Sequence, residues 1–200
     1  MLPEEIKKFI EIFEKLPSIG PRQATRLAFR FVSLGTAKIE EIARAIFDLN
    51  KIKTCSRCFF IYSGEGDICQ RCVDKNRQRD IFMVLEKETD LITIERTKKY
   101  NGLYLVLGEL TKSGVLESWQ KLRLGILKKI IEQELPSKKA KEIIIALNPN
   151  TYGDLNTSLI EKELKSHAQK ISRLGRGIPT GGEIEFADEE TLTHSLQRRE

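Results

Sequence analysis

Ile143-Ile144-Ile145-Ala146-Leu147-Asn148-Pro149-Asn150-Thr151-Tyr152-Gly153-Asp154 runs from a continuous apolar segment into a polar turn, and on into a helical stretch expected over 154–168. Two earlier segments share this order. Ile81–Leu85 is a short apolar run followed by a helix near Asp90–Arg96, and Leu103–Leu107 is another, followed by a long amphipathic helix around Glu117–Glu134. A weaker strand around Ile171–Leu174 and a terminal helix from Asp188 complete the series. Strands alternating with helices predict a parallel sheet covered on both faces, with its chemistry at the strand ends.

All four cysteines precede this region, as Cys55-Ser56-Arg57-Cys58 and Cys69-Gln70-Arg71-Cys72. Two C-x-x-C pairs at this spacing can present four thiolates to one Zn²⁺ ion, which accepts tetrahedral sulfur coordination without redox chemistry. With every ligand position filled by protein, no place is left for a catalytic water, so such a site is structural. Metal binding then supplies folding free energy that so short a segment lacks. The alternative is two disulfides, which needs an oxidising compartment. The N-terminal MLPEEIKKFI carries no signal-peptide pattern.

The hydrophobic fraction of 40% supports packed cores, and no segment approaches the ~20 apolar residues of a membrane span. The expectation is a soluble, cytoplasmic protein. Net charge is +5, and its largest regional surplus lies in residues 1–53, where ten Lys/Arg face seven Asp/Glu. A surplus of that size permits contact with a polyanion without establishing it.

Residues 4–15 read as a helix with Ile6, Phe9, Ile10 and Phe13 on one face; a second is expected over 21–33, burying Ala24, Leu27, Ala28 and Phe31, and a third over roughly 37–50. Leu16-Pro17-Ser18-Ile19-Gly20-Pro21 joins the first two, with Pro21 suited to a first helical position and Gly20 expected to give the turn its freedom. A helix start offers free N–H groups and a positive dipole end to a phosphate. Arg22, Arg26 and Arg30, spaced by four, line one face beside it. That suits nucleic acid held by its backbone without base reading. An ordinary helical hairpin with solvated arginines is the other reading.

The stretch from Asn148 to Asp154 resembles the D-P-D-R-E-G-E signature of the Toprim fold of topoisomerases and primases, in which carboxylates hold Mg²⁺. Within that resemblance Glu86 falls on the family's general acid/base glutamate. Asn148 and Asn150 stand at its two aspartates, Tyr152 where a glutamate is expected, and Asp154 keeps an acid. Mg²⁺ prefers hard, charged oxygen ligands, so three lost negative charges leave a poor site for phosphoryl transfer. The expectation is a Toprim fold that keeps its architecture and has no catalytic residues.

The order of parts resembles the bacterial recombination mediator family RecR along essentially the whole chain. Leu16-Pro17-Ser18-Ile19-Gly20-Pro21-Arg22 with Arg26-Leu27-Ala28-Phe29 is similar to its N-terminal signature, and the cysteine pairs match in kind. Glu95-Arg96-Thr97, Gly102-Leu103-Tyr104 and Val106-Leu107-Gly108 resemble its central stretch, and Arg176–Glu189 its C-terminal one. The resemblance implies an α/β multidomain chain. Residues 1–53 would be a helix–hairpin–helix DNA-binding domain, 54–79 a four-cysteine zinc finger, 80–174 a Toprim domain with a Rossmann-like parallel sheet, and 175–200 a glycine-rich segment and helix serving oligomerisation. It further implies a DNA-repair accessory protein that forms ring-like tetramers. Such a protein binds single- and double-stranded DNA and works with RecO and RecF to load RecA onto strands coated by single-strand-binding protein. Arg22 and Arg26 fall at positions linked with DNA contact, extended here to Arg30. Glu86 and Asp90 fall on the acidic edge implicated in contact with RecO, and Asp154 keeps an acid at the same edge. Tyr152, Asn150, the longer spacing between cysteine pairs and the loop Glu109–Ser118 depart from the family pattern.

Other signals are weaker. Gly175, Gly177, Gly181 and Gly182 suit a tight loop for subunit packing, because no phosphate-binding loop of the G-x-x-x-x-G-K-[ST] kind occurs. Trp119 reads as a core anchor, and His167 and His194 as surface residues. Two other functions stay open: a Toprim enzyme, which needs the carboxylates that Asn148 and Asn150 replace, and a zinc-ribbon protein that binds only proteins.

Overall fold

The computed structural model describes residues 2–111, 114–197 and 199. It divides into two compact units, Met1–Ile52 and Lys53–Glu200.

The first unit is helical: α1 (Glu4–Phe13), α2 (Pro21–Leu34) and α3 (Thr36–Asp48), closed by a turn of 3₁₀ helix at Leu49–Lys51. Ala24 and Ala28, one turn apart on α2, are its buried residues among those described. Their small side chains let α1 lie close. Phe9 and Phe13 of α1 stack at 3.9 Å and meet Phe31 edge-on at 5.5 and 6.4 Å. The α1–α2 turn takes its left-handed residue at Ser18 (φ 63°) rather than at Gly20, which is extended (φ −88°, ψ 169°). The apolar stripe of α3 is left open: Ile39, Ile46 and Phe47 are exposed, as are Phe29 and Val32 of α2.

The second unit opens with a small antiparallel pair, β1 (Lys53–Thr54) and β2 (Ile61–Tyr62), and the short helix α4 (Gln70–Val73). A parallel sheet follows, in the order β4-β3-β5-β6. Its elements are β3 (Gln78–Leu85), α5 (Glu88–Arg96), β4 (Gly102–Val106), α6 (Ser118–Glu134), β5 (Ala140–Ala146), α7 (Thr151–Leu164) and β6 (Ala168–Arg173). A 3₁₀ turn at Ile184–Phe186 and α8 (Glu189–Gln197) form the tail.

Period-two alternation sends Phe82 and Val84 of β3 to one face, into a core with Leu103, Leu105, Ile143 and Ile145, the α6 residues Leu124, Leu127 and Ile131, and Ile160 and Leu164 of α7. Met83 and Leu85 point to the other face, with Tyr104, Val106, Leu91 of α5, Phe60 and all four cysteines. Both faces are covered, but the second by one helix and the cysteine segment. Among the described residues no helix is long and apolar enough to cross a membrane.

Candidate metal centre and sheet-edge site

The four cysteine sulfurs converge. All are buried free thiols, and their Sγ atoms lie within 4.8 Å of one another. Cys55 to Cys72 is 3.8 Å and Cys58 to Cys69 is 3.5 Å. A tetrahedron with bonds of about 2.3 Å has edges of roughly 3.8 Å, so the cluster has the size of a metal thiolate site. The same distances are far beyond a disulfide bond of about 2.05 Å. The Cys69 N–H donates to Cys55 Sγ at 3.3 Å, as expected around an electron-rich sulfur. Hydrogen bonds from Cys58, Cys69 and Cys72 hold the Cys55 thiol below its usual range, while Cys55, Cys58 and Cys69 push Cys72 above it. A bound cation would remove that competition by taking all four as thiolates.

The segment is fastened to the sheet at three points. Val106 N–H donates to Cys58 O at 2.8 Å, which closes the open edge of β4. Arg57 makes a two-pronged pair with Glu134 at the end of α6, at 2.5 and 2.7 Å. Arg71 reaches Glu95 of α5 at 3.3 Å, where Arg77 (2.6 Å) and the Tyr104 hydroxyl (2.7 Å) also bond. Arg57 and Arg71 hold the same position within their C-x-x-C pairs. That repetition is visible in the sequence, but it does not name Glu134 or Glu95 as the partners.

At the sheet's carboxyl edge, Glu86 follows β3 and Asn148 follows β5, and adjacent strands bring them together. Asn148 Nδ2 donates to Glu86 Oε2 at 3.1 Å, and the Leu110 N–H lies 3.4 Å from Oε1. Asn150 is turned to another task. Its Oδ1 accepts the Gly153 N–H at 2.8 Å and caps α7, which therefore begins at Thr151, not at 154. The turn is so tight that a Cβ at Gly153 would lie 1.9 Å from Asn148 O. Gly153→Ala is expected to cost about 2–3 kcal/mol, read as a fall in denaturation midpoint, with the Glu86–Asn148 contact disturbed.

The other expected edge residues separate. Asp90 caps α5 by accepting the Lys87 N–H at 3.0 Å. Asp154 turns away from Glu86 to pair with Arg176, with Arg173 3.6 Å off. Arg176 also pairs with Glu190, so it joins α7 to the tail along a cleft of about 290 Å³. Arg22, Arg26 and Arg30 are exposed along α2, without an ion pair among the described residues. At the start of that helix the N–H groups of Arg22 and Gln23 have no backbone partner among the described residues. His167 is not a free surface residue: its Nε2 lies 2.9 Å from Glu132 Oε1.

Residues 80–175 match the family described as Toprim domain, and 177–200 the family described as RecR, C-terminal. Recombination protein RecR of Clostridium perfringens is 37% identical over 198 residues, which are 98% of this chain and 96% of that protein. The chain belongs to the RecR family of recombination proteins. Proteins of the same name from Bifidobacterium longum (36% identical over 97% of this chain and 94% of theirs) and Gloeobacter violaceus (34% over 100% and 98%) are similar along their whole lengths too. The RecR match therefore extends from the helical unit through the cysteine cluster to the tail.

Proposed function

We propose that this chain is a DNA-binding mediator of recombinational repair that acts by assembly and not by catalysis. In this reading it works in the cytoplasm with RecO and RecF, and helps load RecA onto single-stranded DNA coated by single-strand-binding protein. The observation that carries it is the surface of α2. Three exposed arginines spaced by one turn stand beside a helix start with free N–H donors, in a chain that belongs to the RecR family. A Cβ placed on Gly20 would meet nothing within 4 Å, so a phosphate can approach the backbone there.

The remaining parts support the reading. The cysteine cluster fits Zn²⁺, which would tie the segment 54–79 to the sheet as a structural ion. At the Toprim edge Asn148 occupies one Glu86 oxygen with an amide donor, Asn150 serves α7, and Asp154 serves the tail. None of these arrangements assembles carboxylates for Mg²⁺, so the edge is free to act as a surface. Asp90, partly exposed, and Glu86, only 8% exposed and bonded by Asn148, are the acids assigned to the partner, with Asp154 contributing together with the tail that it holds. The open apolar faces of α2 and α3, and the exposed Ile184 and Phe186 of the tail, suit two interfaces between copies, as a ring tetramer needs. Several weak phosphate grips on one ring would add by avidity, on single- or double-stranded DNA.

The test is a titration of single-stranded DNA at two or more salt concentrations. In the variant Arg22→Glu/Arg26→Glu, affinity is expected to fall, and the slope of log affinity against log salt to flatten by about 1.4, the share of two lost phosphate contacts. An unchanged slope removes α2 as the DNA site.

A further inference from the structure

Trp119 stands next to the Glu86 edge. It is the second residue of α6, is 41% exposed and is not the core anchor that its place in the sequence suggested. Yet it is not loose. Gly108, in a left-handed conformation (φ 91°), lies so near that a Cβ there would be 2.3 Å from the indole. The Arg123 guanidinium sits 4.9 Å from the indole centre and 4.7 Å from the Phe59 ring, and donates to Val106 O at 2.9 Å. The Gly108 N–H donates to Glu86 O at 2.8 Å, which sets the ring beside the strand end that carries Glu86, although the Glu86 carboxylate is itself buried. Buried Gln120 secures the helix start by donating to Glu109 O at 3.0 Å and accepting from the Glu117 N–H at 2.9 Å. One turn on, Leu122 is 62% exposed.

A half-exposed aromatic ring immobilised in advance, with an apolar neighbour, has the character of an interface anchor: the ordering is already done and burial of the ring is still to be gained. The surroundings decide what it receives. Glu88 acts electrostatically on Arg123, exposed Glu109 follows Gly108 and exposed Glu117 precedes the helix, with Asp90 partly exposed and Glu86 buried behind them. Lys87 and Lys121 offset part of that charge. Arg123 is tucked between two rings. A negatively charged rim of this kind repels phosphates and so disfavours a nucleic-acid base as the stacking partner.

We infer that Trp119 and Leu122 form the apolar centre of the partner-docking edge, and receive a basic segment of a protein partner that places an apolar side chain against the indole. This rests on the reading of Glu86 and Asp90 as the RecO-facing acids. In it the acids steer and orient the partner while the ring carries most of the affinity.

The experiment uses the full chain and purified RecO, with the emission of Trp119, the one tryptophan of the sequence, as the binding signal for the parent protein and a label on RecO for the variants. Emission is expected to change on binding. Trp119→Ala should weaken RecO binding about thirtyfold and Leu122→Ala about fivefold, with Trp119→Phe restoring most of the loss. Mass by light scattering should stay at the parental value in every variant, and Trp119→Phe and Leu122→Ala should keep the parental melting temperature. If Trp119→Ala binds RecO normally while Glu86→Gln/Asp90→Asn does not, the inference fails and the docking edge stands. If neither variant affects binding, the docking edge falls and takes the inference with it. A loss of oligomer mass in Trp119→Ala would assign the patch to a second copy, and a selective loss of DNA affinity would assign it to nucleic acid. Either result overturns the proposal.

Discussion

Removing the metal is expected to cost the second unit about 5 kcal/mol, seen as a fall of roughly 10–20 °C in melting temperature. The purified chain should carry about one zinc ion per chain by elemental analysis. A strong zinc chelator should remove it and Zn²⁺ should restore the parental melting curve, whereas a reductant alone should leave that curve unchanged. Cys58→Ser should reproduce most of the loss. Its effect is large because the cluster is continuous with the core: the cysteines pack with Met83, Leu85, Tyr104 and Val106, and Cys58 O closes the β4 edge. Without the ion, the four thiols, which lie within 4.8 Å of one another, are expected to separate and uncover one face of the sheet. A metal-free chain that melts at the same temperature as the zinc-loaded one would refute this account.

The parallel sheet was legible because its strands are apolar enough to stand out. Ile81–Leu85 lies within β3, and Leu103–Leu107 and Ile143–Leu147 fall on β4 and β5 and pass their ends by one residue each. What was hidden depends on neighbours. Gln78, Arg79 and Asp80 extend β3 at its start although they are polar, because the Gln78 N–H donates to Asn101 O at 2.8 Å and the residue pairs with Gly102. β6 begins at Ala168, earlier than its apolar Ile171 indicates, because Ala140 and Ala168 pair across the sheet while Glu142 bonds to Lys170 and Ser172. α7 starts at 151 because Asn150 caps it, a role set by the turn to Gly153 and not by the Toprim pattern of carboxylates.

The site divides in the same way. Cysteine spacing identified the cluster, since four ligands in two close pairs need little from the rest of the fold. The segment's place as a layer of the domain was not visible, because Arg57–Glu134 and Arg71–Glu95 join residues far apart in sequence. Glu86 and Asn148 could be placed together, as residues just beyond neighbouring strands. Asp154 could not, because its partner Arg176 lies in the tail and no periodic pattern connects them. Trp119 misled for a related reason. Its size argues for burial, but Gly108 and Arg123 cover only part of the ring and the rest is exposed at the head of α6.

Replacing Glu95 by Gln is expected to destabilise the second unit by about 2–4 kcal/mol at neutral pH, and to make its stability less dependent on acid. Glu95 is a hub: Arg77 and Arg71 bond one of its oxygens and the Tyr104 hydroxyl the other. Burial alone would raise its carboxyl, but the hydrogen bonds of Arg77 and Tyr104, with the charges of Arg77 and Arg71, hold it below its usual value of 4.5. A carboxylate with a depressed folded-state pKa contributes stability that is fully present above its unfolded value. That contribution is lost as pH falls through the folded value. Parent and variant should therefore differ most above about pH 5, and their denaturation midpoints should converge in more acidic solution. The neutral amide can still accept one hydrogen bond, but it leaves two guanidinium groups without a compensating charge. Arg77, whose Nε has no partner among the described residues, would keep mainly Gly102 O at 3.0 Å. Because Arg71 belongs to the second cysteine pair, the same substitution should speed loss of the metal to a chelator. A variant that gives up zinc at the parental rate while melting earlier would confine Glu95 to the sheet and sever its link to the cysteine cluster.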